Sequence, residues 1–145
     1  MRQIVTTIPV GVLAMQAQLA SPALVQSAQE HATRLGRPLI ESLVGGGRVS
    51  ESDLSRVLSE HLDLPRVNLE SCQPDPGAVA RLSAEYCRKH LVFPVELANS
   101  DGFTFLVLAM VDPLDTQAIR SVYQVTGLRV RPLVAQASDV CEAIA

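Results

Sequence analysis

Cys87 and His90 lie three residues apart, about one helical turn, so a thiol and an imidazole could touch there. That is the pairing of a nucleophile with its base. Nothing beside them offers an oxyanion stabiliser or a group to orient the imidazole, so they read as a half-buried thiol and a surface histidine. Asp112 and Asp115 have the look of paired carboxylates, yet they flank Pro113 just after an apolar run, and helix capping accounts for both. Cys72, Cys87 and Cys141 are widely spaced with no CxxC, and His31, His61 and His90 form no HxxxH or CxxH. The expectation is reduced thiols, no metal, no cofactor and no catalytic residue. Gly45-Gly46-Gly47-Arg48 lacks the Lys-Ser/Thr of a phosphate loop and sits between helices, not after a strand. It reads as a helix stop.

The chain has 145 residues, 48% of them apolar but only 3% aromatic and none tryptophan, so its core must be Leu, Val and Ala. Net charge is −3, and the basic residues are eleven Arg and one Lys, an arginine usage that hints at a GC-rich bacterial genome. A general nucleic-acid binder would show a basic excess, so none is expected. No apolar run reaches the length of a membrane span, so direct insertion is not expected either. The N-terminus carries Arg2, an apolar stretch and small residues in the manner of a signal peptide. Gln16 and Gln18 interrupt that stretch, which is better explained as part of a repeat.

The elements that must position these residues are clearest in the second half. Phe103–Val111 is a continuous β-prone run, as for a strand buried on both faces. Asp112-Pro113 predicts a helix start, with Asp115 as the capping-box acid. Leu114, Ile119, Val122 and Val125 form the helix stripe, and Gly127 ends it. Leu128–Leu133 returns to strand. Leu91–Leu97 pairs with Phe103–Met110 as a hairpin around Ala98–Gly102. Ser83 caps a helix near 84–90, and Ser138-Asp139 starts a final one. Gln73–Gly77 is turn-rich, and Leu64–Leu69 is a short extended piece, a candidate addition to the sheet.

The first half repeats itself at an offset of thirty residues. Leu13 falls on Leu43, Leu19 on Val49, Leu24 on Leu54, Glu30 on Glu60 and His31 on His61. Ser21-Pro22 and Ser50–Asp53 are helix starts. Four helices are expected, over 9–18, 22–34, 38–45 and 51–62. The fold class is therefore α+β: a four-helix lobe of tandem hairpins over 1–63, then a small α+β lobe with a three-stranded sheet over 64–145.

The string LVLAMVDPLD…TGLRVRPLVA resembles the second half of the N-terminal domain of type II secretion and type IV pilus assembly ATPases, the GspE N-terminal or MshEN domain. The likeness runs from about Val10 to Ala145. It implies a non-catalytic docking and regulatory domain that precedes the motor. Such a domain couples the motor to the cytoplasmic part of an inner-membrane platform protein, so the expected location is cytoplasmic, peripheral at that membrane through partners. The helical lobe would supply the contact surface, with Arg48, Arg56 and Glu60 as rim charges.

The resemblance implies an alternative as well. Some MshEN domains bind cyclic di-GMP through two tandem 24-residue patterns that start Arg-Leu-Gly, continue with spaced Leu and Ile, and end in Gln. Here Leu24 or Leu54, Ala28 or Leu58, and His31 or His61 fall at the spaced apolar and terminal positions. The Arg-Leu-Gly places are Ile8-Pro9-Val10 and Pro38-Leu39-Ile40 instead, while a literal Arg34-Leu35-Gly36 stands four residues too early. A sensor of this kind would use Arg34, Leu35, Gly36, Leu54, Leu58 and His61, helped by Leu24 and His31. Read without the family, Arg34-Leu35-Gly36 is a helix C-terminus: a cation at the negative end of the dipole, then a glycine stop.

Overall fold

A computed structural model describes residues 9–45 and 48–145. Ile8, and Gly46 and Gly47 of the glycine run, lie outside the described residues.

Four helices come first: α1 (Val10–Gln16), α2 (Pro22–Leu35), α3 (Leu39–Val44) and α4 (Glu51–Leu62). The two longer ones start on serines, as the sequence predicts. Ser21 Oγ accepts from Leu24 N at 3.1 Å and Ser50 Oγ from Asp53 N at 3.2 Å, each satisfying an amide with no partner inside its helix. Of the residues thirty apart, Leu13 and Leu43 are both buried, whereas Leu24 is half-buried and Leu54 fully buried.

The second half contains α5 (Pro76–Val79), α6 (Ala84–His90), β1 (Val92–Ser100), β2 (Phe103–Met110), α7 (Thr116–Thr126), β3 (Arg129–Val134) and α8 (Ala137–Ile144). The sheet order is β1-β2-β3, with β1/β2 antiparallel and β2/β3 parallel across α7. This is the α+β architecture with three strands that the sequence predicts. The Leu64–Leu69 piece reaches the sheet through one bridge, Arg66 beside Val134.

Several local expectations are corrected. The hairpin loop is only Asp101-Gly102, with φ of 51° and 81°, as a two-residue turn with both central residues left-handed requires. Ala98, Asn99 and Ser100 therefore belong to β1. Helix α7 begins at Thr116, not at Pro113. Asp112 Oδ1 accepts from Leu114 N at 3.0 Å and holds a separate turn, and Asp115 is the true N-cap, accepting from Ala118 N at 3.1 Å. Helix α8 begins at Ala137 with Gln136 at its N-cap, so Ser138 is not the cap. Its amide donates to Glu51 Oε1 at 2.9 Å, an acid supplied by α4. The short α5, capped by Asp75, falls where only a turn was expected.

The two faces of β2 serve two cores. Val107, Ala109 and Val111 face a cluster containing Leu13, Ala28, Ile40, Leu43, Leu54, Leu58 and Val140. Leu106, Leu108 and Met110 face the other, with Cys87, Ala118 and Val122. A bulge at Pro94/Glu96 changes which β1 side chains face which core. The strand is buried on both faces only from Leu106 onward. Phe103 is 52% exposed and Phe105 half-buried, because the helices stop short of that end.

Candidate functional site

Arg34 stands exposed in the last turn of α2, and Gly36 is the left-handed C-cap at φ 66°. Both suit a helix end. Between them Leu35 is 57% exposed. An exposed leucine beside an arginine is available to a ligand in a way that a core leucine is not.

Leu35 is one wall of an open cleft of about 340 Å³ that also includes His31, Glu41, Ser42, Gly45 and Arg48. The cleft lies between the end of α2, helix α3 and the loop leading to α4. His31 Nδ1 lies 3.2 Å from Ser42 Oγ. Glu41 is held by Arg37, whose Nε and Nη2 donate at 2.9 and 2.8 Å. That bidentate pairing keeps the Glu41 carboxyl below its ordinary range, against the opposing effect of burial. Arg48 is exposed and carries no ion pair among the described residues.

The structure thus brings His31, Leu35 and Arg48 into one cleft, with Arg34 and Gly36 adjoining it in the chain. The other sequence candidates stand elsewhere. Leu54 and Leu58 are 1% and 0% exposed, core residues whose side chains offer nothing to solvent. Leu24 is half-buried against the same core. His61 is exposed at the end of α4. Arg56 and Glu60 pair at 3.3 Å on the outer face of α4, with Asp53 at 3.7 Å from Arg56.

Glu41 and Ser42 were not singled out from sequence. The spacing of four between Arg37 and Glu41 was the available signal. A second, polar cleft of about 430 Å³ was also missed. It is lined by Ser55, Arg66, Asn68, Glu70, Gln136 and Asp139, among others. Burial, then Glu70 and Glu51, push the Asp139 carboxyl up. The residues that meet there come from three separate stretches of chain.

Cys87 is buried, and burial pushes its thiol up to about 11, which keeps it protonated and unreactive. The His90 ring packs on Tyr86 with centroids 4.4 Å apart. Burial foremost, then Lys89, holds His90 below its ordinary value. Asp112 accepts from Leu114 N in its turn and Asp115 caps α7. All three thiols are free, and no group of three metal-ligating side chains gathers among the described residues. No described helix is long and apolar enough to cross a membrane.

The model of the MshEN domain family matches residues 62–145, more than half of the chain. The chain belongs to the MshEN domain family. Two type IV pilus assembly ATPases named PilB are similar to this MshEN chain. That of Myxococcus xanthus is 31% identical over 134 residues, covering 92% of this chain and 23% of its own length. That of Thermus thermophilus is 32% identical over 122 residues, covering 84% and 14%. The chain therefore spans a quarter or less of these relatives. Among solved structures, the N-terminal domain of XpsE superposes with a TM-score of 0.74 at 26% identity, over 99% of this chain and 96% of that one. MshE with cdg superposes at 0.63 and 24% identity, over 93% and 95%. The MshEN fold is shared across both.

Proposed function

We propose that this MshEN domain is a non-catalytic docking and regulatory module of a secretion or pilus assembly ATPase, coupling the motor to the cytoplasmic part of an inner-membrane platform protein. The observation that carries the reading is the match, end to end, to the N-terminal domain of XpsE. In this reading the helical part, 1–63, presents the contact surface and the α/β part, 64–145, is its scaffold. The family match beginning at residue 62 supports that division. Arg48, Arg56 and Glu60 are exposed on the helical part and suit the rim of an interface, where charges steer association. The module would work in the cytoplasm, held at the inner membrane by its partner. The test is calorimetric titration with the cytoplasmic domain of the platform protein from the same operon. Saturable binding, weakened by Arg48→Glu with Arg56→Glu, supports the proposal. No binding at high concentration overturns it.

A second reading is a cyclic di-GMP sensor. Two observations favour it: MshE was solved with cdg, and the cleft joins Leu35, His31 and Arg48 next to exposed Arg34. An apolar side chain flanked by guanidinium groups suits a purine base, since the guanidinium can stack on it or pair with its acceptors. Leu54 and Leu58 would then act by supporting the cleft from the core. Titration with cyclic di-GMP tests this reading. Binding lost with Arg34→Ala and kept with Arg120→Ala, on distant α7, supports it. Equal loss in both indicates charge attraction alone.

A further inference from the structure

The helices cover only half of one sheet face. In the uncovered half, Phe103 and Phe105 of β2 point to the same side as Arg129 and Arg131 of β3, because residues two apart share a face and Phe105 is paired with Arg129. The Arg129 guanidinium lies 4.8 Å from the centroid of the Phe103 ring, and that of Arg131 lies 4.4 Å from Phe105. These are two parallel cation–π stacks, side by side. Ala98 and Ser100 of β1 complete the floor. Phe103 is 52% exposed, and both arginines are exposed.

Neither arginine forms an ion pair among the described residues. Glu96, the acid on the same face, is paired with Val107 and borders the patch without engaging them. In a chain with net charge −3, this is a local cationic surface on an apolar floor. A stacked guanidinium still presents its N–H edge outward, where it can hold a carboxylate with two bonds.

The geometry also limits how a partner can approach. Alternate residues of a strand turn their backbone groups to the same edge. On the outer edge of β3, Val134 N and O are already bonded to Pro65 O and Val67 N, each at 2.9 Å. Pro132, two residues before, has no N–H to give. Strand addition is obstructed at Val134 and Pro132, and the face with its side chains is the surface left open to a partner.

We propose that the face formed by Phe103, Phe105, Arg129 and Arg131 docks an extended acidic segment of a partner polypeptide. Side chains two apart on a strand are about 7 Å apart, so carboxylates on every second residue of an extended segment meet both arginines. Single-stranded nucleic acid is the rival that Arg–Phe surfaces also suit. Here each arginine already lies over its ring, on a face where a base would stack.

The experiment is an amide-resolved NMR titration of the whole chain with an alternating glutamate–leucine hexapeptide at low salt. The same titration is made with a lysine–leucine hexapeptide and with oligothymidylate. Expected are saturable shifts at 103–105 and 129–131 with the acidic peptide only, and a loss of affinity of about tenfold or more in R129E/R131E. Should that double variant melt early, R129Q/R131Q, which keeps the side-chain bulk, replaces it. The proposal is overturned by no shift at those residues, by equal affinity in the variant, or by tighter binding of oligothymidylate.

Discussion

The guanidinium of Arg37 donates to the backbone carbonyl of Arg88 at 3.0 Å, across 51 residues of sequence. The same guanidinium is gripped by Glu41 of α3. One side chain thus ties the turn after α2 to the C-terminal end of α6, whose last carbonyls have no partner within the helix. It also lies one residue beyond Arg34-Leu35-Gly36, so whatever moves that turn pulls on α6.

Replacing Arg37 with Ala removes both links. The side chains of Arg37 and Glu41 are about a third exposed, which reduces the value of the ion pair. The expected cost is about 1 kcal/mol, read as a lower urea midpoint with unchanged slope. Arg37→Lys recovers only part of it, because an ammonium cannot hold Glu41 with two parallel bonds while reaching Arg88.

Asp112 makes stability depend on pH. Burial above all pushes its carboxyl up to about 6, against an ordinary 3.8, despite the bond from Leu114 N. Because the folded chain holds this proton more tightly than the unfolded one, the contribution is fully present below about pH 4. It is lost as pH rises through about 6. The loss amounts to about 2–3 kcal/mol. Asp112→Asn keeps an oxygen for Leu114 N and has no charge to bury. Melting curves should show the variant equal to the parent near pH 4 and more stable at pH 8.

Leu58 and Leu35 separate core from surface. Leu58→Ala should cost about 2–5 kcal/mol in chemical denaturation, since the side chain is fully buried in the larger cluster. Leu35→Ala should stay within about 0.5 kcal/mol. A large cost at Leu35 would mean that the cleft wall is structural and not a free surface.

Glu51→Ala should loosen the start of α8. Ser138 N then loses its acceptor on α4. Hydrogen exchange should quicken at residues 138–140 while the β2 amides keep their protection. Unchanged exchange there would show that Glu51 contributes nothing to that end.

Where a structural decision was local, the sequence carried it. Ser21, Ser50, Ser83 and Gly127 act through their own hydrogen bonds or backbone angle, so their types alone marked the helix ends. The continuous apolar run of β2 likewise marked a strand. The bulge at Pro94/Glu96 was not visible, because register is fixed by the partner strand and by the turn at Asp101-Gly102. Nor was the limit of burial at Phe105, which depends on where the helices end in space. At the candidate cleft, exposed Leu35 and buried Leu54 look alike in sequence; only packing separates them. The Arg129 and Arg131 stacks join residues that the hairpin and the α7 crossover bring together. The pairing of β2 with β3 had to be known first.

Val10 of α1 and Val140 of α8 belong to one apolar cluster. The core is closed, like a clasp, by its first and last described helices. During synthesis α1 to α4 emerge first with their inner side bare, and the last piece of the cluster leaves the ribosome only when α8 does. Until then the apolar inner side of α1 to α4 lacks the partners that β2 and α8 supply. Trimming either end exposes the same interior, so protease nicks near α1 or α8 should be equally fatal.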